Sequence, residues 1–265
     1  MYDFAYHRPK TLADATAALK GKPEARAMSG GMTLIPTLKQ RLAKPSDVVD
    51  LNGIKDLAGI KVDGSGVTIG ALTRHAEVAS SGDVKNAIPA LAHLAGHIGD
   101  PQVRNRGTLG GSVANNDPAA DYPAAVVGLG ATVTTTSRTI KADDFFKGLF
   151  ETALEDGELI TSISFPKADK AGYMKFPNPA SRYAMVGVFV AKTGNGVRVA
   201  VTGAGPCVFR VKAMEDALAK NFSSAAIKDI KVPADGLNSD IHGSAEYRAH
   251  LVNVMARRAV DQANK

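Results

Sequence analysis

The sequence predicts an α+β chain assembled from successive pieces, and three observations carry that reading. Between Thr11 and Leu51 a helix signal, a short apolar segment, a second helix signal and a strand follow one another. That is the order of a βαβ unit with a parallel strand pair. The turn signals Asp63-Gly64-Ser65-Gly66 and Gly194-Asn195-Gly196 each lie between β-rich runs and mark antiparallel hairpins. Between those hairpins, Lys167–Ala180 is rich in lysine and proline, Pro177 and Pro179 included. It reads as the crossing into a second domain.

Each element has a local cause. Thr11-Leu12-Ala13-Asp14 is close to a capping box and opens a helix carrying Ala15 and Leu19, which stops at Gly21. Ala25–Met28 is short and apolar, Leu34–Leu42 has helical spacing and closes before Pro45, and Val48–Leu51 is a strand. Ile60–Val62 and Val67–Leu72 flank the first hairpin turn, and Asp83–Gly96 reads as one helix with Leu91, Leu94 and Ala95 on its apolar side. Gly99–Asp117 has little periodicity and reads as loop. Pro123–Leu129 is apolar, Ala131–Thr136 is β-rich, and Glu158–Phe165 is a strand ending at Pro166. Beyond the crossing, Met185–Ala191 and Val197–Thr202 form the second hairpin. Helices follow at Val211–Ala219 and Ala245–Ala263, the latter with Tyr247, Leu251, Val254 and Met255 on one face.

Composition excludes several classes. Of 265 residues, 45% are hydrophobic and 22% charged, the balance of an ordinary globular protein. No apolar run reaches the ~18 residues of a membrane helix, and Met1–Lys10 lacks a signal-peptide core, so a cytoplasmic chain without a membrane span is expected. One cysteine, Cys207, rules out an internal disulfide or an iron–sulfur cluster held by this chain alone. The net charge of +6 is spread along a chain with no Trp and 6% aromatics, which argues against a nucleic-acid platform and for solubility and attraction of anionic ligands. His93 and His97 sit four apart on a helix, but no glutamate follows His93 and no third ligand is evident, so no metal is expected there.

Two glycine-paired segments carry the chemistry. In Ser29-Gly30-Gly31-Met32-Thr33 the glycines permit φ > 0 and close approach of a ligand, just before a helix start that favours anions. In Thr108-Leu109-Gly110-Gly111-Ser112, a second glycine pair is flanked by hydroxyls suited to phosphate oxygens.

Ser29–Pro36, Val103–Ser112 with Asn116-Asp117-Pro118-Ala119-Ala120-Asp121, and Lys175–Ala184 together resemble the FAD-binding subunits of molybdenum hydroxylases, nearest to the medium-subunit type of aerobic carbon monoxide dehydrogenases. The resemblance spans nearly the whole chain. It implies a two-subdomain FAD-binding domain of the vanillyl-alcohol-oxidase-like kind over residues 1–170, with subdomains of about 1–56 and 57–170. It implies a C-terminal domain with a small antiparallel sheet and helices over 171–265. Carried over by the resemblance, the diphosphate-binding backbone falls on Ser29, Gly30, Gly31, Met32 and Thr33 and on Thr108, Leu109, Gly110, Gly111 and Ser112. FAD contacts fall on Asp121 and Lys175, an apolar flavin neighbour on Ile160, and an aromatic beside the isoalloxazine on Tyr183. Met32 and Ser29 depart from the residues usual at their positions.

The resemblance further implies partners: a large molybdenum-cofactor subunit, a small [2Fe–2S] subunit, a dimer of such heterotrimers, and an external electron acceptor. No residue is expected to be catalytic in proton transfer. Two other classes remain: a stand-alone FAD-dependent reductase, which needs its own proton donor, and a non-catalytic module for another diphosphate ligand.

Overall fold

The computed structural model describes all 265 residues, and its strands fall into three principal sheets. The first contains β1 (Ala5–His7), β2 (Arg26–Met28) and β3 (Asp47–Asp50), all parallel in the order β1-β3-β2. Helix α1 (Leu12–Leu19) starts where the Thr11 hydroxyl accepts the Asp14 amide, and it buries Ala15 and Leu19 against Val49, Leu51 and Leu57. Helix α2 (Leu34–Lys39) is shorter than its apolar spacing suggests. The chain turns out of it at Gln40 and takes positive φ at Arg41.

The second sheet and its helices occupy the middle of the chain. Strands β4 (Ile60–Asp63), β5 (Gly66–Gly70), β6 (Thr132–Thr135) and β7 (Thr139–Lys141) precede a small hairpin, β8 (Phe146–Gly148) and β9 (Glu151–Thr152), and then β10 (Ile160–Pro166). The sheet runs β4-β5-β10-β6-β7 and is antiparallel throughout. Its helices are α3 (His75–Ser80), α4 (Gly82–Ala87), α5 (Pro89–Gly96), α6 (Pro101–Arg104), α7 (Leu109–Asn115), α8 (Tyr122–Leu129) and α9 (Ala142–Phe145). The single helix expected over Asp83–Gly96 is two. Pro89 has no N–H to continue α4 and instead begins α5, whose N-terminal position fits its fixed φ. Within the expected loop Gly99–Asp117, side-chain caps overcome the weak helix propensity: Asp100 accepts the Val103 amide and Thr108 the Gly111 amide.

The third sheet is a meander of β11 (Lys170–Pro177), β12 (Ala184–Thr193), β13 (Gly196–Thr202) and β14 (Phe209–Arg210). The expected crossing Lys167–Ala180 is thus mostly strand: β11 pairs along β12 from Lys170 to Pro177, and the prolines only bracket it. Helices α10 (Lys212–Lys220) and α11 (Ala245–Ala263) cover one face, where Val186, Val188 and Val190 meet Met214, Met255 and Val260. The opposite face gives Tyr173, Phe189, Ala191 and Ala200 to the core of the middle unit, beside the wholly buried α8. Burial on both faces explains why Met185–Ala191 is continuously apolar instead of alternating.

Candidate functional site

The two glycine segments meet. Gly30 lies on the backbone of Arg106 and Gly107, so close that a Cβ there would overlap the Arg106 carbonyl and stand 2.8 Å from Gly107 Cα. A Cβ on Gly111 would strike the Ser29 hydroxyl and come within 2.8 Å of Thr108 Oγ1. At Gly110 it would approach Ala71 Cβ to 2.5 Å, where α7 crosses the end of β5. Three of the four paired glycines are therefore needed for protein to touch protein. The fourth, Gly31, holds φ = 74°, the left-handed region that turns the chain into α2.

Side chains tie this junction. Thr108 Oγ1 donates to Ser29 Oγ at 2.9 Å while accepting the Gly111 amide. Asn52 Nδ2 donates to the Ser29 carbonyl at 2.7 Å, and Arg74 donates to Asn52 Oδ1 at 2.6 Å and to the Arg106 carbonyl. His75 is buried next to it, with Gly107 against its imidazole; burial first, and then the cations Arg74 and Arg104, push its pKa down to about 4. It is therefore neutral at ordinary pH. His75 Nδ1 and the neighbouring Tyr122 hydroxyl, with rings 5.3 Å apart, have no partner.

A cleft of about 700 Å³ opens along this junction, lined by residues of all three sheets' units. Ser29–Thr33 form one wall; Thr108, Gly110, Gly111 and Ser112 form another; Ile160 lies at the start of β10, and Tyr183 comes from the loop after β11. The backbone N–H groups of Gly30, Gly31, Met32 and Thr33 donate to no protein atom. Those of the second segment are committed: Leu109 to Thr73 O, Gly110 to Ala71 O, Gly111 to Thr108 Oγ1 and Ser112 to Thr108 O. A row of unpaired amides on a partly apolar cleft of this volume fits the diphosphate and rings of a dinucleotide.

The stretch after α7 clasps the third sheet. Asn116, buried with φ = 43°, donates to the carbonyls of Gly148 and Glu151. The next residues accept from the C-terminal unit: Pro118 O from the Gly203 amide, Ala119 O from the Ala184 amide, and Ala120 O from the Thr202 hydroxyl at 2.6 Å. Asp121 ends the clasp, taking the Tyr173 hydroxyl at 2.5 Å and Lys175 Nζ at 3.0 Å.

Residues 2–168 match the FAD binding domain in molybdopterin dehydrogenase, and residues 171–263 match the CO dehydrogenase flavoprotein C-terminal domain. This chain belongs to the FAD-binding subunits of the molybdenum hydroxylases. It is 36% identical to the glyceraldehyde dehydrogenase medium chain of Sulfolobus acidocaldarius, over 97% of each chain. It is also 36% identical to the carbon monoxide dehydrogenase medium chain of Afipia carboxidovorans, over 98% of this chain and 96% of that one. A crystal structure of the Cu,Mo-CO dehydrogenase in its cyanide-inactivated form superposes with a TM-score of 0.89 at 34% identity, covering 99% of this chain and 98% of its counterpart. The α+β architecture and the flavoprotein class anticipated from the sequence both follow, and the chain is the FAD-carrying component of an oxidoreductase.

The cleft gathers most of the residues singled out in the sequence of this flavin subunit, but two stand back from it. Leu109 is fully buried in the core beneath α7, where the first helical turn must pack. Lys175, expected on the flavin, has a side chain only 4% exposed; its ammonium is taken up by Asp121 and by the His97 carbonyl at 3.0 Å. Met32 is exposed on the rim. Tyr183 is half-exposed and lines the cleft together with Thr33, so the C-terminal unit and the first loop share it. Asn52, Arg74, His75 and Tyr173 also build the site. Only His75, a histidine at the start of an apolar helix, left any local trace in the sequence.

Proposed function

We propose that FAD lies in this cleft with its diphosphate against the free amides of Gly30–Thr33, Ser112 and Asp121 on the neighbouring wall, and Ile160 and Tyr183 beside the ring system. In that reading the chain takes electrons from [2Fe–2S] clusters on a small partner subunit and passes them to an external acceptor. The substrate is oxidised at a molybdenum cofactor on a large subunit, and the assembly is a dimer of heterotrimers in the cytoplasm. When bound, FAD supplies the conversion between one- and two-electron steps. The protein's own residues bind, orient and shield: the loop amides neutralise the diphosphate, Tyr183 and Thr33 close one side, and Ile160 excludes water.

The row of four unpaired amides carries the placement. The partner reading is supported by the single cysteine, which leaves this chain no ligand set for a cluster. It is also supported by relatives that are named as medium chains of dehydrogenases acting on different substrates. That variety supports a reading in which another subunit chooses the substrate. No helix here is long and apolar enough to cross a membrane.

The purified chain is expected to show a flavin spectrum that dithionite bleaches and that no organic substrate bleaches until the partner subunits are added. Bleaching by substrate in the chain alone sinks the electron-transfer reading in favour of a self-sufficient reductase.

A further inference from the structure

The first loop is held from behind. Two adjacent glycines, Gly30 and Gly31, leave its peptide planes free to rotate, since neither carries a Cβ to bar one orientation. The Ser29–Gly30 plane is nonetheless fixed. The Ser29 carbonyl accepts from Asn52 Nδ2 at 2.7 Å, and in a trans peptide the carbonyl and the next N–H point opposite ways. The Gly30 N–H is thereby turned away from Asn52. Ser29 and Gly30 line the cleft, whereas Asn52 and Arg74 do not, so the hold comes from the far side of the loop and aims the N–H at the cavity. Asn52 is set in turn. Its Nδ2 and its backbone N–H both reach Asp50 Oδ1, at 2.6 and 2.9 Å, and its Oδ1 accepts from Arg74 Nη2 at 2.6 Å. With one end of the amide donating and the other accepting, a flipped Asn52 loses bonds at both.

A second, independent observation ends at the same arginine. Its other terminal nitrogen, Nη1, donates to the Arg106 carbonyl, the atom that a Cβ on Gly30 would overlap. One guanidinium therefore grips both the partner of the Ser29 carbonyl and the seat of the Gly30 Cα. Its own main chain is anchored by Glu77, whose carboxylate accepts the Arg74 amide at 2.7 Å. Resting on the placement of FAD given above, we propose that Asn52 and Arg74 are positioning residues that lock the Ser29–Gly30 peptide with its N–H toward the diphosphate. Neither touches the ligand. The lock works by preorganisation. An unlocked loop binds only while its amide faces the cleft, and its apparent Kd rises in inverse proportion to that fraction of time. Arginine suits the task because its planar fork offers several donors in fixed geometry to acceptors on two segments. The single ammonium of a lysine has no such fork.

The test is titration of the full chain with FAD by fluorescence quenching, and with ADP by competition against it. ADP carries the diphosphate without the flavin. Asn52→Ala should weaken both ligands by the same factor, about five- to tenfold, the scale of one net hydrogen bond. Arg74→Met should weaken both at least as much. Arg74→Lys keeps the charge without the fork and should stay within about twofold of Arg74→Met. If Arg74→Met does not fold, Asn52→Ala and Arg74→Lys decide the matter. The phosphorus NMR signals of bound FAD should shift in Asn52→Ala, while the flavin absorbance, which reads the ring system beside Ile160 and Tyr183, stays that of the wild type. A merely structural loosening would not confine its effect to the diphosphate. Wild-type affinities in Asn52→Ala, with ADP competing normally for the unaltered chain, overturn the proposal and leave the cleft reading intact. Wild-type binding by Arg74→Lys overturns it too, by showing that charge alone suffices. ADP that fails to compete with FAD for the unaltered chain defeats the underlying placement of the diphosphate as well.

Discussion

The first and second glycine loops look alike in sequence and do opposite work. Ser29–Thr33 leaves four consecutive amides without partners and precedes a six-residue helix that has no side-chain cap. Thr108–Ser112 spends its amides on Thr73, Ala71 and Thr108 itself, and its helix is capped. One loop keeps its amides free; the other spends them on the protein's own carbonyls and hydroxyls. A glycine pair thus reports close approach without saying what approaches. At Gly30, Gly110 and Gly111 the neighbour is protein.

The contrast breaks most sharply at Gly110. Gly110→Val drives a side chain into the backbone of Ala71, which cannot yield, and should cost more than about 3 kcal/mol in denaturant unfolding of the FAD-free chain. A mild loss there refutes the structural role given to the second loop. Acid should act on the same loop. His75 has a pKa of about 4 in the folded chain against 6.5 for an unperturbed histidine, so the unfolded state binds more protons below pH 6.5. Stability contributed by neutral His75 is complete above that pH and lost as pH falls toward 4, about 3 kcal/mol in all. His75→Gln should flatten that part of the stability–pH curve. Thr108→Val removes the α7 cap and the bond to Ser29, and should lower stability by about 1–2 kcal/mol. The first loop should answer differently. Gly31→Ala places a side chain at φ = 74°, costing only about 1 kcal/mol of stability, yet it shifts the free amides and should cut FAD affinity well beyond that of Thr108→Val. Equal FAD losses in the two variants would erase the distinction between the loops.

What could be read in the sequence was local. The Thr11 cap, the Asp63–Gly66 turn and the Gly194–Gly196 turn each act within a few residues, and each stands where its chemistry put it. Pro89 was equally local and outweighs the apolar spacing that joins Asp83 to Gly96. β11 was hidden because the prolines at its end obscure a pattern that becomes a strand only against β12. The site divides in the same way. Glycine pairs announce themselves, whereas the pairing of Asp121 with Tyr173 and Lys175 depends on two segments brought together by the third sheet. A lysine in a proline-bracketed segment has no local sign that its charge is already committed.

That Thr33 and Tyr183, 150 residues apart, line one cleft has a consequence for biosynthesis. At about 5–20 residues per second, the ribosome releases the far wall of the cleft on the order of ten seconds after the near one. The clasp that seats the wall waits longer, because Thr202 and Gly203 come later still. A nascent chain therefore exposes the loop amides to water and cytosolic anions before any pocket exists around them, and cofactor loading belongs to the closing moments of synthesis or after release.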